Sequence, residues 1–207
     1  MIDALTDGTP MVVVSGNYDT MKLAEYRSDL PNLVRPVTKW SAEITQAAQI
    51  PGVIRRAFNE ANSDPKGPVY IALATNALDG EADMDIIPSQ EYPRSTAELS
   101  DIQAAVQLLA EARKPLIIAG GGTLLAEASQ ALLALAEFIQ APVMTTPQAK
   151  GIIPEDHQLA VGAHYALVGP SKHVVPESDL ILAVGTRLLV RDAKIKSYQK
   201  VIHIDVD

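Results

Sequence analysis

Cysteine is absent from this 207-residue chain, which removes disulfides, thiolate zinc sites and thiol nucleophiles together. Basic residues are outnumbered, 17 Lys and Arg against 25 Asp and Glu, for a formal net charge of -8 and a pI near 5.0. Nucleic-acid binding needs clustered cations to displace counterions, and anionic membrane surfaces need them too, so both partner classes are excluded. Long apolar runs are missing as well. No stretch approaches the ~18 residues of a membrane span, and the opening residues lack the basic flank and apolar run of a secretory signal. A cytoplasmic protein is expected. What remains is 47% hydrophobic and 20% charged, a balance that can bury a sizeable core.

Hydrophobic patterning divides the chain. Residues 11–15 form a β-branched run closed by Gly16, which predicts a strand buried on both faces, as in a parallel sheet. A polar stretch broken by prolines follows up to Trp40. From Pro51, apolar Ile54, Ala57, Phe58 and Ala61 recur at i, i+3, i+4 and i+7, the signature of an amphipathic helix with proline at its start. Residues 69–73 read as a second buried strand. Residues 76–99 carry Asp79, Glu81, Asp83 and Asp85, followed by Pro88 and Pro93, with no apolar period, and are expected to be a linker, a long surface loop being the alternative.

A new alternation begins at Ser100, which with Gln103 could form a capping box; Ile102, Val106 and Leu109 give that helix an apolar face. Strands are predicted over 116–119, 142–146, 180–184 and 201–206. Leu125, Ala128, Leu132, Leu135 and Ile139 trace one helical stripe, and a short helix is expected over 171–177. Strands alternating with helices predict an α/β fold, a Rossmann-like parallel sheet over residues 100–207 preceded by a partial α/β domain over residues 1–75.

Ligands of such sheets bind beyond the carboxyl ends of the strands. Gly120, Gly121 and Gly122 would let backbone N–H groups approach a phosphate; the alternative is a turn required only for tight packing. A dinucleotide fingerprint would need glycine at Leu125 and an acid where Thr145 and Thr146 stand, which disfavours ordinary NAD binding. Gly185, Thr186 and Arg187 end another strand, and the guanidinium could pair with a phosphate or with a surface carboxylate. Asp205 and Asp207 could accept from ribose hydroxyls or cap the next turn. His157, His164, His173 and His203 show no metal spacing, Ser15 is outside any nucleophile elbow, and Trp40 reads as a packing residue.

Several segments, in order, resemble the thiamine diphosphate enzymes of the acetolactate synthase, benzoylformate decarboxylase and glyoxylate carboligase group. Ala4-Leu5-Thr6-Asp7-Gly8-Thr9-Pro10 with Val12-Val13-Val14-Ser15-Gly16, then Arg35-Pro36-Val37-Thr38-Lys39-Trp40 and Gly67-Pro68-Val69-Tyr70-Ile71, are similar to the latter half of the family's pyrimidine-binding domain. Lys114-Pro115 through Gly122, Pro142-Val143-Met144-Thr145-Thr146, Lys150-Gly151 with Pro154-Glu155-Asp156-His157, Asp179-Leu180-Ile181-Leu182-Ala183-Val184-Gly185-Thr186-Arg187 and Ile204-Asp205-Val206-Asp207 are similar to its central domain. The resemblance implies a piece of a 2-keto acid decarboxylase or carboligase, with the central domain stopped before its last strand and helix. It implies thiamine diphosphate and Mg2+ in the parent enzyme, through motifs outside this chain, and no catalytic residue within it. Tyr26-Arg27-Ser28 stands where the family carries Phe-Gln-Glu, and Gly162-Ala163-His164-Tyr165 departs from the His-Gly of flavin-binding members. FAD or ADP is the alternative ligand, held by groups matching Gly120, Gly121, Gly122, Gly185, Thr186, Arg187 and Asp205; an NAD-consuming enzyme of sirtuin-like fold is a third reading, opposed by the missing zinc cysteines. The partners implied are further copies of the chain or the remaining domains of the parent, and the strands at Met11 and Val69 are expected to expose apolar faces that drive association.

Overall fold

The computed structural model describes residues 1–20, 27–88, 96–163, 171–188 and 195–206. Tyr26, Pro93, His164, Tyr165 and Asp207 lie outside the described residues. The chain divides into two compact units, Met1–Ser95 and Thr96–Asp207.

The first unit runs α1 (Ile2–Asp7), β1 (Met11–Asn17), α2 (Leu30–Val34), β2 (Trp40–Ile44), α3 (Ile50–Asn62), β3 (Pro68–Ala74) and α4 (Thr75–Leu78). Its three strands are parallel in the order β1-β3-β2, with Val12 beside Val69 and Ala42 beside Ile71. The pleat sends Val69 and Ile71 to one face, where Ala57 and Ala61 of α3 bring the helix close, and Tyr70 and Ala72 to the other, against Val34 of α2. β3 is therefore covered on both faces, as its continuous apolar run requires. β1 is not: as the edge strand it leaves Met11 and Val14 exposed, which corrects the expectation of a strand buried on both sides. The expected exposure of the Val69 strand is likewise corrected, since Val69 has no accessible surface.

Three other details differ from the patterning. The stretch before Trp40 contains α2, whose Asp29 side chain accepts from the Asn32 N–H and caps it. Trp40–Ile44 is a strand, concealed in the sequence by Ser41 and Glu43. Phe58 is exposed, because the buried face of α3 centres on the smaller Ala57 and Ala61. Trp40 packs as a surface platform with the Arg56 guanidinium 5.2 Å above its ring, a cation–π arrangement.

The second unit runs α5 (Leu99–Glu111), β4 (Pro115–Ala119), α6 (Gly121–Leu125), α7 (Ser129–Ile139), β5 (Val143–Thr145), β6 (Ala160–Ala163), α8 (Ser171–Glu177), β7 (Leu180–Val184) and β8 (Lys200–Ile204). All five strands are parallel in the order β6-β5-β4-β7-β8. The chain winds outward from β4 to β6, returns, and winds outward again from β7, the Rossmann-like topology that alternating apolar runs predict. Ile117, Val143, Leu180 and Leu182 face α7 through Leu132 and Ala136; Leu116, Ile118, Met144 and Ile181 face Val175 of α8. Each such fully buried aliphatic side chain contributes about 1.5–3 kcal/mol relative to exposure.

Here too the structure corrects local expectations. Glu98, not Ser100, is the N-cap of α5, and no side chain caps it, so the capping box at Ser100 and Gln103 does not form. The apolar stripe of α5 is rotated: Ala105, Leu108 and Leu109 pack on the core while Ile102 and Val106 are exposed. The single stripe from Leu125 to Ile139 is two helices, interrupted where Glu127 adopts a φ of 56°. β6 is unheralded, because Ala160, Val161, Gly162 and Ala163 offer no β-branched run. β8 ends at Ile204, so Asp205 and Val206 follow the strand rather than belonging to it.

Candidate functional site

In the second unit the carboxyl ends of β4, β7 and β8 are joined backbone to backbone. Gly120 N–H donates to the Val184 carbonyl (2.8 Å), Gly122 N–H to the Gly185 carbonyl (2.9 Å), and Gly185 N–H to the Ile204 carbonyl (2.8 Å). The Thr123 hydroxyl adds a bond to the Val184 carbonyl at 2.9 Å. These contacts explain the glycines sterically. A Cβ on Gly120 would lie 2.2 Å from the Gly185 oxygen, and one on Gly185, whose φ is +58°, would lie 2.3 Å from the Thr123 nitrogen. Two of the three glycine amides read as phosphate donors are thus engaged with the neighbouring turn.

The remaining sequence candidates stand around this junction. Arg187 is exposed and has no ion-pair partner among the described residues. The Thr186 carbonyl accepts from His203 Nε2 at 2.6 Å, which assigns the proton to that nitrogen. Asp205 accepts from the Val206 N–H at 2.8 Å, with His203 Nε2 3.7 Å from its other oxygen. Beside β4, the hydroxyl of buried Thr145 has no hydrogen-bond partner among the described residues, a state that is rare for buried polar atoms.

The other candidates are structural. His157 lies 3.3 Å from Glu137 and accepts from the Leu159 N–H through Nδ1. His173 is exposed on α8. The Ser15 hydroxyl bonds the Tyr70 phenol. Asp179 supports the entry to β4: burial pushes its carboxyl up, but N–H donations from Arg113 (2.8 Å) and Lys114 (3.0 Å) outweigh this and hold it below the usual range. Burial lowers the Lys39 ammonium despite Glu60 and Asp64 nearby, and its Nζ donates to the Ser63 hydroxyl at 2.8 Å. Among the described residues, no group of three or more His, Cys, Asp or Glu could hold a metal ion.

The first unit has a polar cluster that patterning missed. Asn17, at the end of β1, donates from Nδ2 to Glu43 Oε1 (2.7 Å) and to the Ser28 carbonyl (2.9 Å). Arg27 donates to Glu43 Oε2 (2.6 Å) and to the Tyr18 carbonyl (2.7 Å). Thr75 donates to the Asn17 carbonyl at 3.1 Å, and Asn76 carries the Thr20 N–H at 3.2 Å. Beside these groups is a cavity of about 420 Å³ lined by Gly16, Asn17, Tyr18, Ser28, Leu30 and their neighbours Thr75 and Leu78. A carboxylate one residue from the end of β2, between apolar Ala42 and Ile44, was the available signal.

Residues 102–207 match the family described as thiamine pyrophosphate enzyme, central domain. The chain is 34% identical over 99% of its length to a probable acetolactate synthase large subunit of Methanocaldococcus jannaschii, covering 37% of that protein. It is 32% identical over 99% of its length to the acetolactate synthase large subunit of Corynebacterium glutamicum, covering 35% of it, and 32% identical over 99% to a probable 2-ketoarginine decarboxylase of Pseudomonas aeruginosa, covering 38%. The chain thus spans little more than a third of these relatives. With a five-stranded parallel sheet of Rossmann-like order over the matched residues, the chain belongs to the thiamine pyrophosphate enzyme family through its central domain.

Proposed function

We propose that this chain serves a thiamine diphosphate-dependent 2-keto acid decarboxylase or carboligase of the acetolactate synthase type, contributing its central domain and the latter half of its pyrimidine-binding domain. The observation that carries this reading is the alignment of nearly the whole chain with a continuous third of acetolactate synthase large subunits. Its role there is structural: residues 1–75 and 100–207 supply two α/β units joined through 76–99. Its partners are further copies of the chain or the remaining domains of the parent.

The described residues do not fit the coenzyme itself. Magnesium has no ligand cluster among them. No carboxylate is among the described residues that line the first-unit pocket, and Glu43, behind it, accepts from Arg27 and Asn17. No catalytic step is assigned to this chain. Titration calorimetry with thiamine diphosphate and Mg2+, beside assays of pyruvate decarboxylation and ligation, tests the proposal. No heat and no turnover are expected; tight stoichiometric uptake would reject a purely structural role.

The unpartnered Thr145 hydroxyl favours a second reading, in which the second unit holds an adenine nucleotide such as FAD or ADP. Arg187 would take a phosphate, Asp205 would accept from a ribose hydroxyl, and Gly120, Gly121, Gly122, Gly185 and Thr186 would form the floor. Such a ligand would supply binding energy to the fold. Equilibrium dialysis against ADP and FAD decides it, since absence of saturable uptake removes this reading and leaves the first intact.

A further inference from the structure

The cavity of about 420 Å³ at the carboxyl ends of β1 and β3 is an open depression. Two of the residues on its rim, Tyr18 and Ser28, present their carbonyl oxygens to side chains that converge on one carboxylate. Glu43 does not line the cavity. Its side chain is only 18% exposed and receives Asn17 on Oε1 and Arg27 on Oε2. Each donor has a second bond: Asn17 reaches the Ser28 carbonyl and Arg27 the Tyr18 carbonyl.

We infer that Glu43 is a positioning residue for this cavity, setting the separation of two rim carbonyls through Asn17 and Arg27 without touching the space between them. The geometry divides the work. The Oε2 arm is the charge-assisted one, and its donor Arg27 is partly exposed and can turn to water once the carboxylate is neutralised, whereas buried Asn17 cannot and keeps its claim on the remaining oxygen. The Oε1 arm needs only an acceptor for the Asn17 amide, which a neutral carboxamide also provides. A carboxylate that merely balanced a buried cation would show no such division, since removing either partner would loosen the whole cluster alike.

Amide hydrogen exchange on the full chain separates these cases. In E43Q the glutamine oxygen still accepts from Asn17, so exchange should rise at least tenfold over residues 17–20 and stay unchanged over residues 28–33. R27A should give the same pattern, and the E43Q/R27A double variant should add nothing to either. E43A should release both segments. Exchange over Val69, Tyr70, Ile71 and Ala72 in β3 serves as the reference for an intact sheet. If E43Q releases residues 28–33 as fully as E43A, or if the E43Q and R27A effects add, the two-armed assignment is wrong. If E43A proves too unstable, E43Q against R27A alone still decides the matter.

Discussion

Gly52 and Gly120 have opposite reasons for lacking a side chain, and the difference can be measured. In the first turn of α3, a Cβ on Gly52 meets nothing within 4 Å, so Gly52→Ala should stabilise the protein by about 0.4–1 kcal/mol through the unfolded-state backbone entropy it removes. Gly120→Ala places a methyl 2.2 Å from a carbonyl oxygen that belongs to the Gly185 turn. The backbone cannot step aside as a flexible side chain would, and the cost should reach about 1–3 kcal/mol. Urea unfolding of both variants checks the two signs. Asp179 offers a test by pH. Its folded pKa lies below the unfolded value because of the Arg113 and Lys114 N–H bonds, so its stabilisation is complete at neutral pH and is lost as pH falls through the acid range below 3.8. Asp179→Asn should therefore weaken the protein at pH 7 and flatten its loss of stability on acidification.

Helix α5 shows what an element leaves open when its cap is missing. Glu98 has the extended backbone of an N-cap, with φ -65° and ψ 144°, but its side chain accepts nothing from the first turn. Glu98→Asp should supply that acceptor and add about 0.5–1 kcal/mol; Ser100→Ala should change stability by less than about 0.5 kcal/mol, because Ser100 lies inside the helix and caps nothing. Thermal denaturation distinguishes them. The central strands were legible from their composition: residues 69–73, 116–119 and 180–184 are continuous runs of aliphatic and aromatic residues, and β3, β4 and β7 lie inside their sheets. The strands that patterning missed, β2 and β6, are edge strands. An edge strand is paired on one side only and can carry a glutamate or a run of small residues, so its composition does not announce it. The same asymmetry misplaced β1, whose apolar run gave no sign that one side of it would lack a neighbour.

At the scale of the whole chain, residues 79–88, near the end of the first unit, are exposed throughout and carry four acidic groups. Brief digestion with a protease selective for glutamate should cut first at Glu81 and yield two fragments that remain folded. Early cleavage at Glu60 or Glu111 instead would show that the segment is better protected than its exposure implies. The apolar surface on Met11 and Val14 of β1 predicts concentration-dependent association. Light scattering on Val14→Thr, which keeps the β-branched shape and adds a hydroxyl, should show a smaller mean mass than the parent chain.

The sequence alone determined the α/β class and the places of the buried strands, because continuous apolar runs and their spacing through glycine turns are local properties that survive without coordinates; the family came from the resemblance of its segments to known enzymes. It also placed Gly120, Gly185 and Asp205 at strand ends. Only the tertiary structure decided what those ends do. The Gly120 amide faces the Val184 carbonyl, and the Gly122 amide the Gly185 carbonyl, because β4 and β7 are neighbours, a relation set by sheet order rather than by the residues beside them in the chain. Asn17, Arg27 and Glu43 converge for the same reason. They are separated by 10 to 26 positions in sequence, and their meeting depends on β3 inserting between β1 and β2, which no local pattern encodes.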